Sequence, residues 1–296
     1  MYKSLRLLMR ALWSGFAGLL ISLSAAVVWT ALIVANLRTN PGIPWSVPVM
    51  GLVLWGMWRY WGGAGWPRST AELRQRYRRA NPVSGPALLW SLVAGVLGIV
   101  ALAGCWIVFF NLFRMRPNSI PDMSSYPALT VYPMLIMGSL VSPFSEEAGF
   151  RGYSQLMLER DFRPATAVII ASVFFALAHL NHGFLWPKLL VYFLVGVTFA
   201  AIATLTNSII ASIPVHIIGD MVFFFFVWPH DASRRLVWET GADSWFWIHV
   251  AQAVIFTGLT LLAFRRLAAT NRPNAKIEGL FSAGAIGSQI ESRRAT

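Results

Sequence analysis

The stretch LTVYPMLIMGSLVSPFSEEAGFRGYSQLML, residues 129–158, is long and apolar enough to cross a hydrocarbon core of roughly 30 Å, yet its second half holds Glu146, Glu147 and Arg151. An ionisable group at bilayer depth costs several kcal/mol, so such residues mark a functional site and call for partners elsewhere in the chain. The fold follows from asking how many other segments resemble this one. Comparable apolar runs occur at about 11–36, 45–61, 86–113, 165–182, 188–206, 208–228 and 244–264. That pattern predicts an all-α, polytopic membrane bundle of about eight transmembrane helices. The second run is the weakest, being short and carrying Arg59.

Composition agrees. Of 296 residues, 56% are hydrophobic and 12% charged, with 14 Trp and 20 Phe, which places the chain among integral membrane proteins. A net charge of +12 would suit nucleic acid, but the Lys and Arg residues lie between the apolar runs, so nucleic acid is not an expected partner. Threading the spans with the amino terminus inside puts 18 of the 24 Lys and Arg residues on the inner side, and both termini are expected to be cytoplasmic. The apolar run Ala11–Leu37 greatly exceeds the ~7 to 15 residues of a cleavable signal core, so it reads as an uncleaved anchor. The single cysteine, Cys105, excludes an intrachain disulfide framework and a cysteine-rich metal site.

The simplest parse is one membrane domain over 1–270, its core at about 125–230, followed by a mobile cytoplasmic tail at 271–296. The longest polar connection, Gly62–Pro82, clusters Arg68, Arg74, Arg76, Arg78 and Arg79 beside Ser69-Thr70-Ala71-Glu72. A short basic helix is expected there, in a loop whose charges fix topology. Trp245 and Trp247 fit an interfacial aromatic belt.

On an α-helix, residues four apart share a face, so Glu147 can pair with Arg151 while Glu146 is rotated about 100° away. The two glutamates should then differ: Glu147 is structural and electrostatic, and Glu146, in a dry environment without an evident charge partner, suits a general base. Among the other ionisable residues in spans, depth selects His179. Glu146 lies 15 residues before Asp161 and His179 lies 15 after Pro164, on either side of a turn, which puts both ~22 Å from it. His216 and Asp220 share a helix face at i,i+4, but His216 is only 9 residues from the turn near Asn207 and should fall several ångströms short unless helices tilt, Pro214 bends its helix, or the turn is set deeper. Phe175 puts an aromatic ring on the face of His179. His182, His230 and His249 lack the agreement in depth and read as structural or interfacial.

Glu-Glu-x-x-x-Arg at 146–151, Phe-x-x-x-His at 175–179 and His-x-x-x-Asp at 216–220, in that order, resemble the CPBP family of intramembrane glutamic endopeptidases, which includes the CAAX-processing Ras-converting enzyme and bacterial Abi-type proteins. The strings Glu-Glu-Ala-Gly-Phe-Arg-Gly-Tyr and Phe-Ala-Leu-Ala-His extend the resemblance, whereas the first 125 residues contribute spans alone. It implies an eight-helix bundle of a bacterial inner or plasma membrane, in which Glu146 with His179 activates a water that attacks a peptide carbonyl. It also implies that His216 and residue 220 stabilise the oxyanion, that Glu147, Arg151 and Phe175 support the site, and that no cofactor or metal takes part. The best-studied branch has Asn at the last position, where this chain has Asp220. An Asn amide donates to an oxyanion and an ionised Asp repels it, so Asp220 must be protonated or must act by orienting His216.

Two other classes compete. Glu146, His179 and His216 could supply one carboxylate and two imidazoles to zinc, although no His-Glu-x-x-His is present. The buried polar residues could instead lock helix packing in a membrane scaffold or a bacteriocin-immunity-type protein. A transporter is disfavoured by the lack of a visible inverted repeat. The expected partners are membrane lipids and, for the peptidase, a membrane-embedded or lipidated peptide.

Overall fold

The computed structural model describes residues 2–117, 125–180 and 185–270; His182 and the tail from Asn271 lie outside them. Among the described residues the regular structure is helical. The helices of eight residues or more are α1 (Tyr2–Thr39), α2 (Ser46–Trp61), α3 (Ala71–Arg78), α4 (Gly85–Leu112), α5 (Ala128–Leu158), α6 (Pro164–Ala178), α7 (Trp186–Thr206), α8 (Ser212–Ser233) and α9 (Ser244–Thr270). Six of them, α1, α4, α5, α7, α8 and α9, are long and apolar enough to cross a membrane. The segments expected as the second and fifth spans form shorter helices of 16 and 15 residues, α2 and the apolar α6, because Gly62-Gly63 ends the one and His179 caps the other.

Starts and stops follow local chemistry. Proline, which lacks an N–H, fits the first turn of a helix, where that donor has no intrahelical acceptor. Pro164 and Pro187 begin α6 and α7 in this way, and Ser84 caps α4 by accepting from the Ala87 N–H at 3.4 Å, with Pro86 beside it. The expected basic helix is α3, although its N-cap Thr70 makes no side-chain cap bond.

Trp106, fully buried on α4, centres the core beside the site, with Phe110, Tyr192, Phe223 and Trp228 around it. Its indole N–H donates to the Asp231 carboxylate at 3.0 and 3.1 Å, so the ring buries its apolar body without stranding its polar atom.

The segment that decides the site is irregular. Pro143 interrupts the hydrogen-bond ladder of α5, and Glu147–Ser154 then runs as π-helix. Two glycines in it permit backbone-level packing. A Cβ at Gly149 would collide with the Gly18 carbonyl oxygen of α1, and one at Gly152 would meet the Tyr77 carbonyl oxygen at 2.5 Å. The wide π turn therefore lies directly on α1 and on the end of α3.

Gly149→Val forces these backbones apart and is expected to cost about 1–3 kcal/mol or more. Gly258→Val, whose Cβ would meet nothing within 4 Å, is the control. Thermal unfolding in detergent should separate the two; equal melting temperatures would refute the close packing.

Candidate active site

The π turn of α5 carries Glu147 and Arg151 into the protein interior, where both are buried. Arg151 Nη1 sits 3.0 Å from Glu147 Oε1, and Nη2 donates to the Gly196 carbonyl of α7 at 3.3 Å. The guanidinium plane lies over Phe175 at 4.2 Å and near Phe199 at 5.2 Å, which places a cation against ring faces in a space water does not reach. Glu147 is saturated from α8: Ser212 Oγ donates to Oε2 at 2.5 Å and His216 Nδ1 lies 3.0 Å from Oε1. Because a carboxylate accepts, Nδ1 of His216 carries a proton in this contact.

Glu146 faces elsewhere. Its Oε1 accepts from Ser142 Oγ at 3.0 Å, whereas Oε2 is buried, makes no hydrogen bond and lies 3.7 Å from His216 Nε2. Asp220 Oδ1 is also 3.7 Å from that nitrogen. His216 thus stands between three carboxylates, with Glu147 on one nitrogen and Glu146 and Asp220 on the other. Phe199 stacks on its ring at 4.3 Å.

His179 is the C-cap of α6, just past the helical run expected to contain it. Its Nδ1 lies 2.8 Å from the Phe175 carbonyl oxygen, which can only accept, so in the neutral ring the lone pair is on Nε2. The ring stacks on Tyr192 at 4.3 Å and lies 4.7 Å from Phe175. His179, His216 and Asp220 line one cavity of about 60 Å³, walled by Phe175, Tyr192 and Phe199 among others. That volume holds only a few waters.

The structure thus gathers Glu146, Glu147, Arg151, Phe175, His179, His216 and Asp220 in one place. The shortfall in depth anticipated for His216 does not arise: the turn before α8 packs Ser208, Ile209 and Ala211 into the interior, with Asn207 and Ile210 left exposed. Pro214 bends nothing; it sits in the first turn of α8. Away from the site, His230 is exposed and His249 contacts Gln252 at 2.9 Å. Among the described residues no group of three His, Cys, Asp or Glu is arranged to hold a metal ion.

Four participants escaped the sequence reading. Ser142 and Ser212 stand four residues before Glu146 and His216, so the i,i+4 rule could have found them. Tyr192 and Phe199 lie on α7, which carries no motif, and no sequence signal points to them.

Residues 128–222, about a third of the chain, match the family model described as Rce1-like, type II CAAX prenyl endopeptidase Rce1-like. The matched segment contains every one of the seven residues gathered here. Comparison with curated proteins and with solved structures found no match.

Arg151→Met would leave Glu147 buried without its guanidinium, and breaking a buried pair in this way costs about 3–5 kcal/mol. Arg151→Met should therefore unfold at markedly lower temperature in detergent than Glu146→Gln, which removes no ion pair of comparable burial. Equal stabilities would show that His216 and Ser212 suffice to hold Glu147.

Proposed function

We propose that this chain is an intramembrane endopeptidase that hydrolyses a peptide bond of a membrane-embedded or lipidated peptide, using a water activated by Glu146. The observation that carries the reading is the contrast between the two glutamates. Glu147 has both oxygens engaged, whereas Glu146 presents one buried oxygen with no hydrogen bond beside His216. A general base needs such an oxygen, because it must take a proton in the transition state.

In this mechanism the water donates one hydrogen to Glu146 Oε2 and the other to the lone pair of His179 Nε2. Glu146 takes its proton as the water oxygen bonds to the carbonyl carbon. The carbonyl π electrons move onto oxygen, and the resulting oxyanion accepts from His216 Nε2–H. Since His216 Nδ1–H already faces Glu147, donation from Nε2 requires the doubly protonated ring, and Asp220 supplies the carboxylate that keeps that ring balanced and oriented. Asp220 is then a positioning residue, which accommodates a carboxylate where an amide would otherwise donate. Collapse of the intermediate breaks the C–N bond, and the leaving nitrogen takes the proton from Glu146. The apolar walls and small volume of the cavity restrict bulk water, which strengthens each of these electrostatic contacts.

The family match supports a CAAX-type peptidase, and the positive-inside count supports cytoplasmic termini. The same buried network could hold helices together without chemistry, as in a membrane scaffold, and one experiment separates the readings. Amino-terminal peptide profiling of membranes expressing the wild type or Glu146→Gln at matched levels should reveal termini that vanish in the variant. Identical profiles would favour the scaffold. With a cleaved peptide in hand, Asp220→Ala is expected to lower kcat about a hundredfold and Asp220→Asn by much less, since an amide oxygen still presents a partial negative charge to the His216 ring. Equal losses would show that the charge itself is required.

A further inference from the structure

Of the five arginines in the 68–79 segment, Arg79 alone is fully enclosed, with its side chain 3% exposed. It terminates α3 in the left-handed conformation, at φ 51°, and Asn207 terminates α7 likewise, at φ 49°. Non-glycine residues seldom adopt this region. Among the described residues these are the two that do, and they are bonded to each other: Arg79 Nε donates to Asn207 Oδ1 at 3.3 Å. The guanidinium also meets both Glu159 oxygens at 3.2 Å, and its Nη1 donates to the main-chain carbonyl of Arg151 at 3.2 Å. Its own carbonyl accepts the Ile209 N–H at 2.9 Å. Asn81 and Ser208 extend the seam, with Asn81 Nδ2 donating to the Asn207 carbonyl at 2.6 Å and Ser208 Oγ donating to the Asn81 carbonyl at 2.7 Å.

One residue therefore grips two elements that meet at the site. Arg151 belongs to the π turn that holds Glu147 and follows directly on Glu146, and the buried Ile209 belongs to the turn that leads three residues later to Ser212 and seven later to His216. We infer that Arg79 is a positioning residue, a clamp that fixes the π turn of α5 and the turn into α8 in register so that His216 stays between Glu146 and Glu147. A planar guanidinium suits this task because its fork of donors reaches a carboxylate, a carbonyl and an amide oxygen together, which the single ammonium of lysine does not. The kinetic consequence rests on the hydrolytic reading above; the geometric one does not.

The test uses the full chain in detergent, labelled with ¹⁵N in its imidazoles, with His216→Gln to assign that residue's resonances. Arg79→Lys keeps a cation for Glu159 and loses the fork. Asn207→Gly removes the Oδ1 acceptor while suiting the left-handed backbone. Arg76→Lys, at an exposed neighbour, is the control. Arg79→Lys is expected to displace the His216 resonances and to lower kcat about ten- to a hundredfold at little changed KM, with Asn207→Gly shifting both in the same direction by less. His216 resonances at wild-type positions in folded Arg79→Lys would overturn the clamp; if that variant does not fold, Asn207→Gly decides by the same readout. A wild type that cleaves nothing would sink the hydrolytic reading, and the resonances would still test the clamp.

Discussion

The buried pair of Glu147 and Arg151 constrains everything around it. Two charges withdrawn from water lose several kcal/mol of solvation each, and their mutual attraction offsets this only if the remaining donors and acceptors are met. Here the surrounding helices meet those of Glu147 through Ser212 and His216, and those of Arg151 in part: the Gly196 carbonyl accepts from Nη2 and the faces of Phe175 and Phe199 lie against the guanidinium, while Nη1 has the charge of Glu147 beside it and no aligned hydrogen bond. These partners come from α6, α7 and α8, so the pair in α5 can form only when three other helices have docked. An ion pair within one turn of helix thereby specifies a tertiary arrangement.

The π conformation of that turn and its glycines belong to the same solution. A wider turn needs neighbours that approach closely, and Gly149 and Gly152 remove the side chains that would hold α1 and α3 away. With α1 and the end of α3 laid directly on it, the turn is covered at Gly149 and Gly152. The basic segment at 68–79, which reads as a loop that fixes topology, in this way becomes part of the wall behind the carboxylates.

The sequence made the helical architecture legible because apolar runs of the right length have few alternatives in a bilayer. It also made the Glu147–Arg151 pair legible, because i,i+4 spacing is a local property, and it placed His179 with Glu146 because both are counted from one turn. His216 defied the same arithmetic, which assumes that a turn lies at the surface. The turn at 207–211 instead packs Ser208, Ile209 and Ala211 into the interior and is bonded to Arg79 and Asn81, a long-range contact that no local pattern encodes. Tyr192 and Phe199 were invisible for a related reason: an aromatic residue on a membrane helix looks the same whether it faces lipid or stacks on an imidazole.

The adjacency of Glu146 and Glu147 has a chemical meaning once their surroundings are compared. Consecutive positions on a helical turn point in different directions, so one carboxylate can be consumed by structure while its neighbour stays available to a reactant. Glu147 binds His216 through Nδ1, and that contact turns the other edge of the ring towards Glu146 and Asp220. The glutamate paired with Arg151 thus orients the imidazole that faces its neighbour. Exchanging their roles would require Glu146 to reach Arg151 and Ser212, which its rotation about the helix prevents. The order of the two residues, and not merely their presence, is what allows a single turn of α5 to supply both an anchor and a carboxylate with an unbonded buried oxygen.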